Sequence, residues 1–191
     1  NNEIAGVVAY STGVINGCSF SGYLYGGIDI GGITAYTTGS VTNCTSTAYV
    51  YLNTHVPYTL TSTHALGGIA AAAYGTASKP VTITGCMASG IVADLHASDH
   101  IGGIVGYGNN TEVSQCLSNV LVSTNSTQAV DGGSPAAGGI IGYMGKGSVE
   151  DCLVAGSVNG AGTKFAGGVA GYGGGASSFA VTYRRNLVVG M

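Results

Sequence analysis

The sequence predicts an all-β chain folded as a right-handed parallel β-solenoid, β-helix-like, of about six coils. Three observations predict it: a glycine-rich step recurs along the whole chain, all five cysteines share one repeat position, and helix-forming residues are scarce. Of 191 residues 35 are glycine, while leucine occurs nine times, glutamate and lysine three times each, and arginine and glutamine twice each. Few segments therefore carry an intrinsic preference for helix.

The recurring step joins a small residue or glycine to Gly-Ile or Gly-Val, with a tyrosine close behind. It reads IAGVVAY from Ile4 to Tyr10, IGGITAY from Ile30 to Tyr36, LGGIAAA from Leu66 to Ala72, IGGIVGY from Ile101 to Tyr107, AGGIIGY from Ala137 to Tyr143 and AGGVAGY from Ala166 to Tyr172. The second glycines, Gly6, Gly32, Gly68, Gly103, Gly139 and Gly168, are 26, 36, 35, 36 and 29 residues apart. This is a solenoid period with variable insertions. Each step predicts a strand, and stacking the coils puts Val7, Ile33, Ile69, Ile104, Ile140 and Val169 in one interior ladder. The third copy has Ala72 where the others have tyrosine.

The second strand of each coil is predicted around the cysteine. A β-branched residue precedes Cys18, Cys44, Cys86, Cys116 and Cys152 by three places, and the sixth copy puts Asn186 in the cysteine's position. Counting on from each cysteine, the fourth residue is small or β-branched (Gly22, Ala48, Gly90, Val120, Gly156) and the sixth aliphatic (Leu24, Val50, Val92, Val122, Val158). Such alternation marks strands. The cysteines are then expected as an interior column of free thiols, because equivalent positions sit one above another and a thiol behaves as a small buried hydrophobe; the alternative is one or two bridges between neighbouring coils, which a spacing of about 4.8 Å does not forbid. No Cys-x-x-Cys pair suggests zinc. The stripe Met87, Leu117, Leu153 and Leu187, directly after the cysteines, is expected to face outward.

The Gly-Gly-Ile-x-Gly-Tyr step followed by Val-x-x-Cys-x-x-x-Gly-x-Val resembles the GLUG repeat of bacterial surface adhesins and of some immunoglobulin A peptidases. The resemblance covers nearly the whole chain and is clearest over residues 101–122 and 137–158. It implies a secreted or surface-attached solenoid used for display or adhesion, and it carries no catalytic residue. The expectation is a single repeat domain over residues 1–191, a fragment of a longer extracellular or cell-surface protein. Its expected partners are a host or self surface glycan or protein, with end-to-end or edge self-association as a further route.

Composition excludes several classes. Hydrophobic residues make up 45% and charged residues 7% of the chain, the reverse of a disordered composition. Net charge is −3 with scattered basic residues, so no nucleic-acid footprint exists. No apolar run approaches the ~18 residues of a membrane-spanning helix. The rival to adhesion is a carbohydrate-active β-helix enzyme, a polysaccharide lyase or glycosidase, which needs paired carboxylates or a calcium and arginine cluster. Of the acids only Glu150 and Asp151 are adjacent. The expectation is therefore a non-enzymatic module without a cofactor or a catalytic site.

One ligand site remains open on the sequence. The loops Tyr51 to Ala65 and Ala93 to His100 hold His55, His64, His96 and His100 together with Asp94 and Asp99, and Asp131 lies on the next loop. Imidazoles and carboxylates stacked on one edge suit a divalent metal or a polar sugar; the alternative is a set of solvated side chains spaced too widely to converge.

Overall fold

The computed structural model describes residues 3–52, 64–94, 100–125, 135–174 and 180–189. All regular structure among them is strand, and every strand pairing is parallel. The chain is an all-β parallel solenoid of six coils. Each coil contributes one short strand to a first sheet: Glu3–Ala5, Asp29–Gly31, Ala65–Gly67, His100–Gly102, Ala136–Gly138 and Phe165–Gly167, stacked in chain order.

The second sheet takes two segments per coil. Val8–Ser11, Thr34–Thr37, Ala70–Tyr74 and Ala170–Gly173 follow the glycine step, while Ile15–Asn16, Val41–Thr42, Val81–Thr84 and Val181–Arg184 precede the cysteine position. In the fourth and fifth coils the two segments merge into Val105–Ser114 and Ile141–Glu150. The third sheet follows the cysteines: Ser19–Tyr25, Thr45–Tyr51, Met87–Asp94, Leu117–Thr124, Leu153–Val154 with Ser157–Asn159, and Leu187–Val188.

The glycine step is a steric requirement of the corner between the first two sheets. A Cβ on the first glycine (Gly31, Gly67, Gly102, Gly138, Gly167) would run into the carbonyl oxygen three residues ahead, on Thr34, Ala70, Val105, Ile141 or Ala170. On the second glycine it would strike the glycine carbonyl of the next coil and the side chain two residues after the cysteine: Phe20, Ser46 and Ser118 occupy that place against Gly6, Gly32 and Gly103. A backbone carbonyl faces each of the two glycines, so no side chain fits. The amide that follows then bonds coil to coil, with Ile33, Ile69, Ile104 and Ile140 each donating across 2.9 Å to the equivalent carbonyl of the next coil.

The corner before the cysteine is built differently. Gly17, Asn43, Gly85, Gln115, Asp151 and Arg185 all adopt left-handed φ, between 49° and 65°. Glycine and asparagine are at home there, whereas glutamine and arginine are uncommon. Stacked coils impose the same turn on each copy whatever its residue.

The interior is one continuous core. Ile33, Ile69, Ile104 and Ile140 are fully buried, as are Val41, Ile83, Val113 and Val149 of the β-branched column before the cysteines. Val7, on the first coil, departs from the expected ladder at 43% exposure, and Val169 is half-buried; each belongs to a coil with a described neighbour on one side only. Cys44, Cys86, Cys116 and Cys152 are buried, Cys18 is half-buried, and all five are free thiols. The buried thiols donate to carbonyls two residues back, at 3.2 Å for Cys44, Cys116 and Cys152 and 3.5 Å for Cys86. Asn186 in the sixth coil keeps the column polar at that end. Its Oδ1 accepts from the Cys152 amide at 3.0 Å and its Nδ2 donates to the Val149 carbonyl at 2.8 Å.

Candidate functional site

Of the loop-edge residues, His64, Asp94 and His100 lie among the described residues; His55, His96 and Asp99, with Asp131, lie outside them. The three described side chains are buried, at 2%, 0% and 3% exposure, so the alternative of solvated side chains does not hold for these three. Their positions explain the burial. Asp94 ends a strand of the third sheet, where its carbonyl accepts from the Asn125 amide at 3.2 Å. His64 and His100 lead into the first sheet, and the His100 amide donates to the His64 carbonyl at 3.1 Å. Both histidine backbones are thus part of the coil-to-coil ladder. Among the described residues no three of His, Cys, Asp and Glu are grouped to hold a metal ion.

His100 belongs to an aromatic column instead. Tyr10, Tyr36, Tyr74, Tyr107, Tyr143 and Tyr172 stack along the solenoid with successive centroid distances of 5.1, 5.2, 5.0, 5.2 and 4.9 Å. The His100 ring lies 4.6 Å from Tyr143 and 5.5 Å from Tyr107, and Phe165 lies 5.0 Å from Tyr172. The third coil, whose glycine step has Ala72 in place of tyrosine, fills the column from another position. Ala72 does sit in backbone register with Tyr36 and Tyr107, yet Tyr74, two residues on, swings its ring into the gap and keeps the column unbroken. Burial, then the charges on Tyr10, Glu3 and Asp29, push the Tyr36 phenol above its ordinary range. Ring faces within the column are covered by one another, an arrangement that stabilises a scaffold by offset stacking and leaves mainly ring edges for a ligand.

The thiol column is chemically quiet. Burial pushes the Cys44 thiol up. Hydrogen bonds with Cys152 and Cys86, followed by burial, push Cys116 far above the ordinary thiol range, and the same bonds move Cys86 and Cys152 the other way. For Cys44 and Cys116 the direction is upward, burial contributing to both because an interior thiolate loses its hydration, so these two sulfurs are poor nucleophiles.

The adjacent acids Glu150 and Asp151 are engaged by arginine. Arg185, on the next coil, donates to Asp151 from Nε at 2.6 Å and from Nη2 at 2.8 Å, and to Glu150 at 3.3 Å. The hydrogen bond from Arg185 holds the Asp151 carboxyl below the usual carboxylate range. The pair clamps two coils at an exposed corner. A shallow groove of about 140 Å³ opens elsewhere on the second sheet, where residues 75–80 wall off Asn110, Glu112, Lys146 and Gly147. It presents a single carboxylate, whereas glycosidic hydrolysis of the two-carboxylate kind needs a partner for it. The groove depends on an insertion in the third coil, where Cys86 follows Gly68 by 18 residues; the sixth coil, from Gly168 to Asn186, has the same spacing, and the other four coils have 12 or 13.

A chemically distinct surface is the outer face of the third sheet. Register places Tyr23 beside Tyr49 and then Ile91 and Leu121, Tyr25 beside Tyr51, and Thr45, Met87, Leu117, Leu153 and Leu187 in one row. The tyrosines stack across coils at 4.8 Å for Tyr23–Tyr49 and 5.5 Å for Tyr25–Tyr51. Among the described outward positions of this sheet there is no charged residue; serine, threonine and asparagine fill most of the rest, with Ala93 beside Tyr51. Of the ten exposed large hydrophobics among the described residues, six lie here: Tyr23, Tyr25, Met87, Leu121, Leu187 and Val189. The outward leucine stripe expected from sequence is part of it; the tyrosine quartet was readable too, at five and seven places after Cys18 and Cys44, but only once those strands are known to be long. No protein-family model, curated protein or solved structure matches the chain.

Proposed function

We propose that the chain is a non-enzymatic structural and adhesive module of a secreted or cell-surface bacterial protein, of the kind its GLUG-like repeat suggests. The observation that carries this reading is the uncharged, partly apolar outer face of the third sheet. An ordered surface of this breadth with exposed tyrosine, methionine and leucine marks a contact site rather than a solvated wall. The solenoid supports that use mechanically: each coil is bonded to its neighbours along three sheets, so side chains at the surface stand in fixed rows. The buried thiols and the clamped acid pair support a scaffold rather than a reaction centre.

The test is retention against cleavage. Beads coated with the chain are offered a panel of surface glycans and proteins, and the supernatant is assayed for new reducing ends. Attachment without new reducing ends is expected. Release of reducing or unsaturated ends by the purified chain would establish a carbohydrate-active enzyme instead, and failure to attach to any surface, including one coated with the chain itself, would remove the adhesive reading.

A further inference from the structure

We propose that the outer face of the third sheet is a homophilic contact, closing on the same face of a second copy of this chain. The inference rests on the adhesive reading above and names its partner. Three features of the face point to a second copy.

The first is charge. Each copy carries a formal net charge of −3, which opposes association through most of its surface. The described acids and bases are nevertheless placed away from this face: Glu3 and Asp29 on the first sheet, with Lys164 over the Phe165 ring at its edge, Glu112, Lys146, Glu150 and Arg184 on the second, with Lys79 on the segment leading into its Val81–Thr84 strand, Asp151 and Arg185 at the corner, and Asp94 buried. Two copies therefore meet here without bringing like charges together, and no desolvated ion has to be matched.

The second is size. Strands of seven to eight residues in the first four coils, at ~3.3 Å per residue and ~4.8 Å between strands, span roughly 600 Å² of flat area over six coils. Side-chain relief raises this toward the ~800 Å² per partner of a standard stable interface.

The third is the distribution of bulk. Tyr23, Tyr25, Tyr49 and Tyr51 occupy the first two coils, while Met87, Ile91, Leu117, Leu121, Leu153 and Leu187 occupy the last four. A two-fold axis across the middle of the face sets the tyrosines of one copy against the leucines of the other, and the same contact then occurs twice. Sheets pack face to face in this way about 10 Å apart, aligned within ~30°.

The experiment is sedimentation equilibrium of the 191-residue chain over a wide concentration range, at low and high salt. A dimer that persists at high salt is expected, since no ion pair holds it. Met87→Glu with Leu121→Glu should raise the dissociation constant by roughly a hundredfold or more, because each carboxylate is buried unpaired. Val14→Glu, at a 74% exposed position off this face, should leave it unchanged, and circular dichroism of both variants should match the parent. A parent chain that stays monomeric overturns the proposal, as does a dimer that survives the double substitution or is lost with Val14→Glu. A monomer whose coated beads still attach to glycan or protein surfaces overturns the homophilic partner while leaving the adhesive reading in place.

Discussion

Replacing Gly102 by alanine puts one methyl group into a corner that has no give. The new Cβ would collide with the carbonyl oxygen and carbon of Val105, and with the Gly142 amide nitrogen at 2.9 Å. All are backbone atoms, so no rotamer change relieves the contact. Overpacking that side chains can absorb costs ~1–3 kcal/mol. Here the relief is a shift of residues 104–105, whose amides both donate to the Ile140 carbonyl at 2.9 Å, and weakening those bonds adds about 1 kcal/mol each. The expected loss is therefore ~3–5 kcal/mol. Gly13→Ala is the matched control. No atom lies within 4 Å of its added Cβ, and its backbone is outside the left-handed region, so a gain of ~0.4–1 kcal/mol is expected from the stiffer unfolded chain. Urea unfolding followed by far-ultraviolet circular dichroism reads both. Should Gly102→Ala fall within about 0.5 kcal/mol of the parent, the corner is softer than its geometry implies and the steric account of the glycine step is wrong.

Two further outcomes follow from the columns. Tyr74→Ala removes ring contacts to both Tyr36 and Tyr107 and should cost ~1–3 kcal/mol, more than Tyr10→Ala, which loses one contact at a 55% exposed ring; equal shifts in unfolding midpoint would deny the inserted ring its place in the stack. Arg185 depresses the Asp151 carboxyl, so the pair's contribution is complete above the ordinary carboxylate range and fades as pH falls through the depressed folded value. Asp151→Asn should flatten the acid side of a melting-temperature profile slightly, the pair being exposed, and an unchanged acid slope would show the clamp to be silent.

Much of the fold was legible because a solenoid repeats its physics along with its sequence. The cysteine column, the Ile33 to Ile140 ladder and the outward leucine stripe each recur at one offset, and stacking turns an offset into a row. Tyr74 escaped because repeats are compared by backbone position, whereas a ring two residues out of phase reaches the same point in space through its side-chain length. The corner at Gln115 and Arg185 was hidden for the opposite reason: neighbouring coils impose a left-handed turn that these residues do not favour alone. His64, Asp94 and His100 read as loop residues because their burial depends on how the coil closes between the third and first sheets, where the repeat is least regular. The groove beside Glu112 rests on an insertion that only the third and sixth coils carry, so it departs from the period instead of following it.

The thiol column also bears on the order in which such a chain becomes safe from oxidation. Each cysteine is sheltered by the coil stacked upon it, so shelter arrives one coil at a time as the solenoid lengthens. In an oxidising compartment the population at risk is then the growing tip rather than the whole set. An odd number of thiols, which would leave one unmatched in a framework of bridges, carries no such penalty when docking hides each before a partner is found. Speed of coil addition, rather than any pairing rule, becomes the property that keeps the chain from cross-linking.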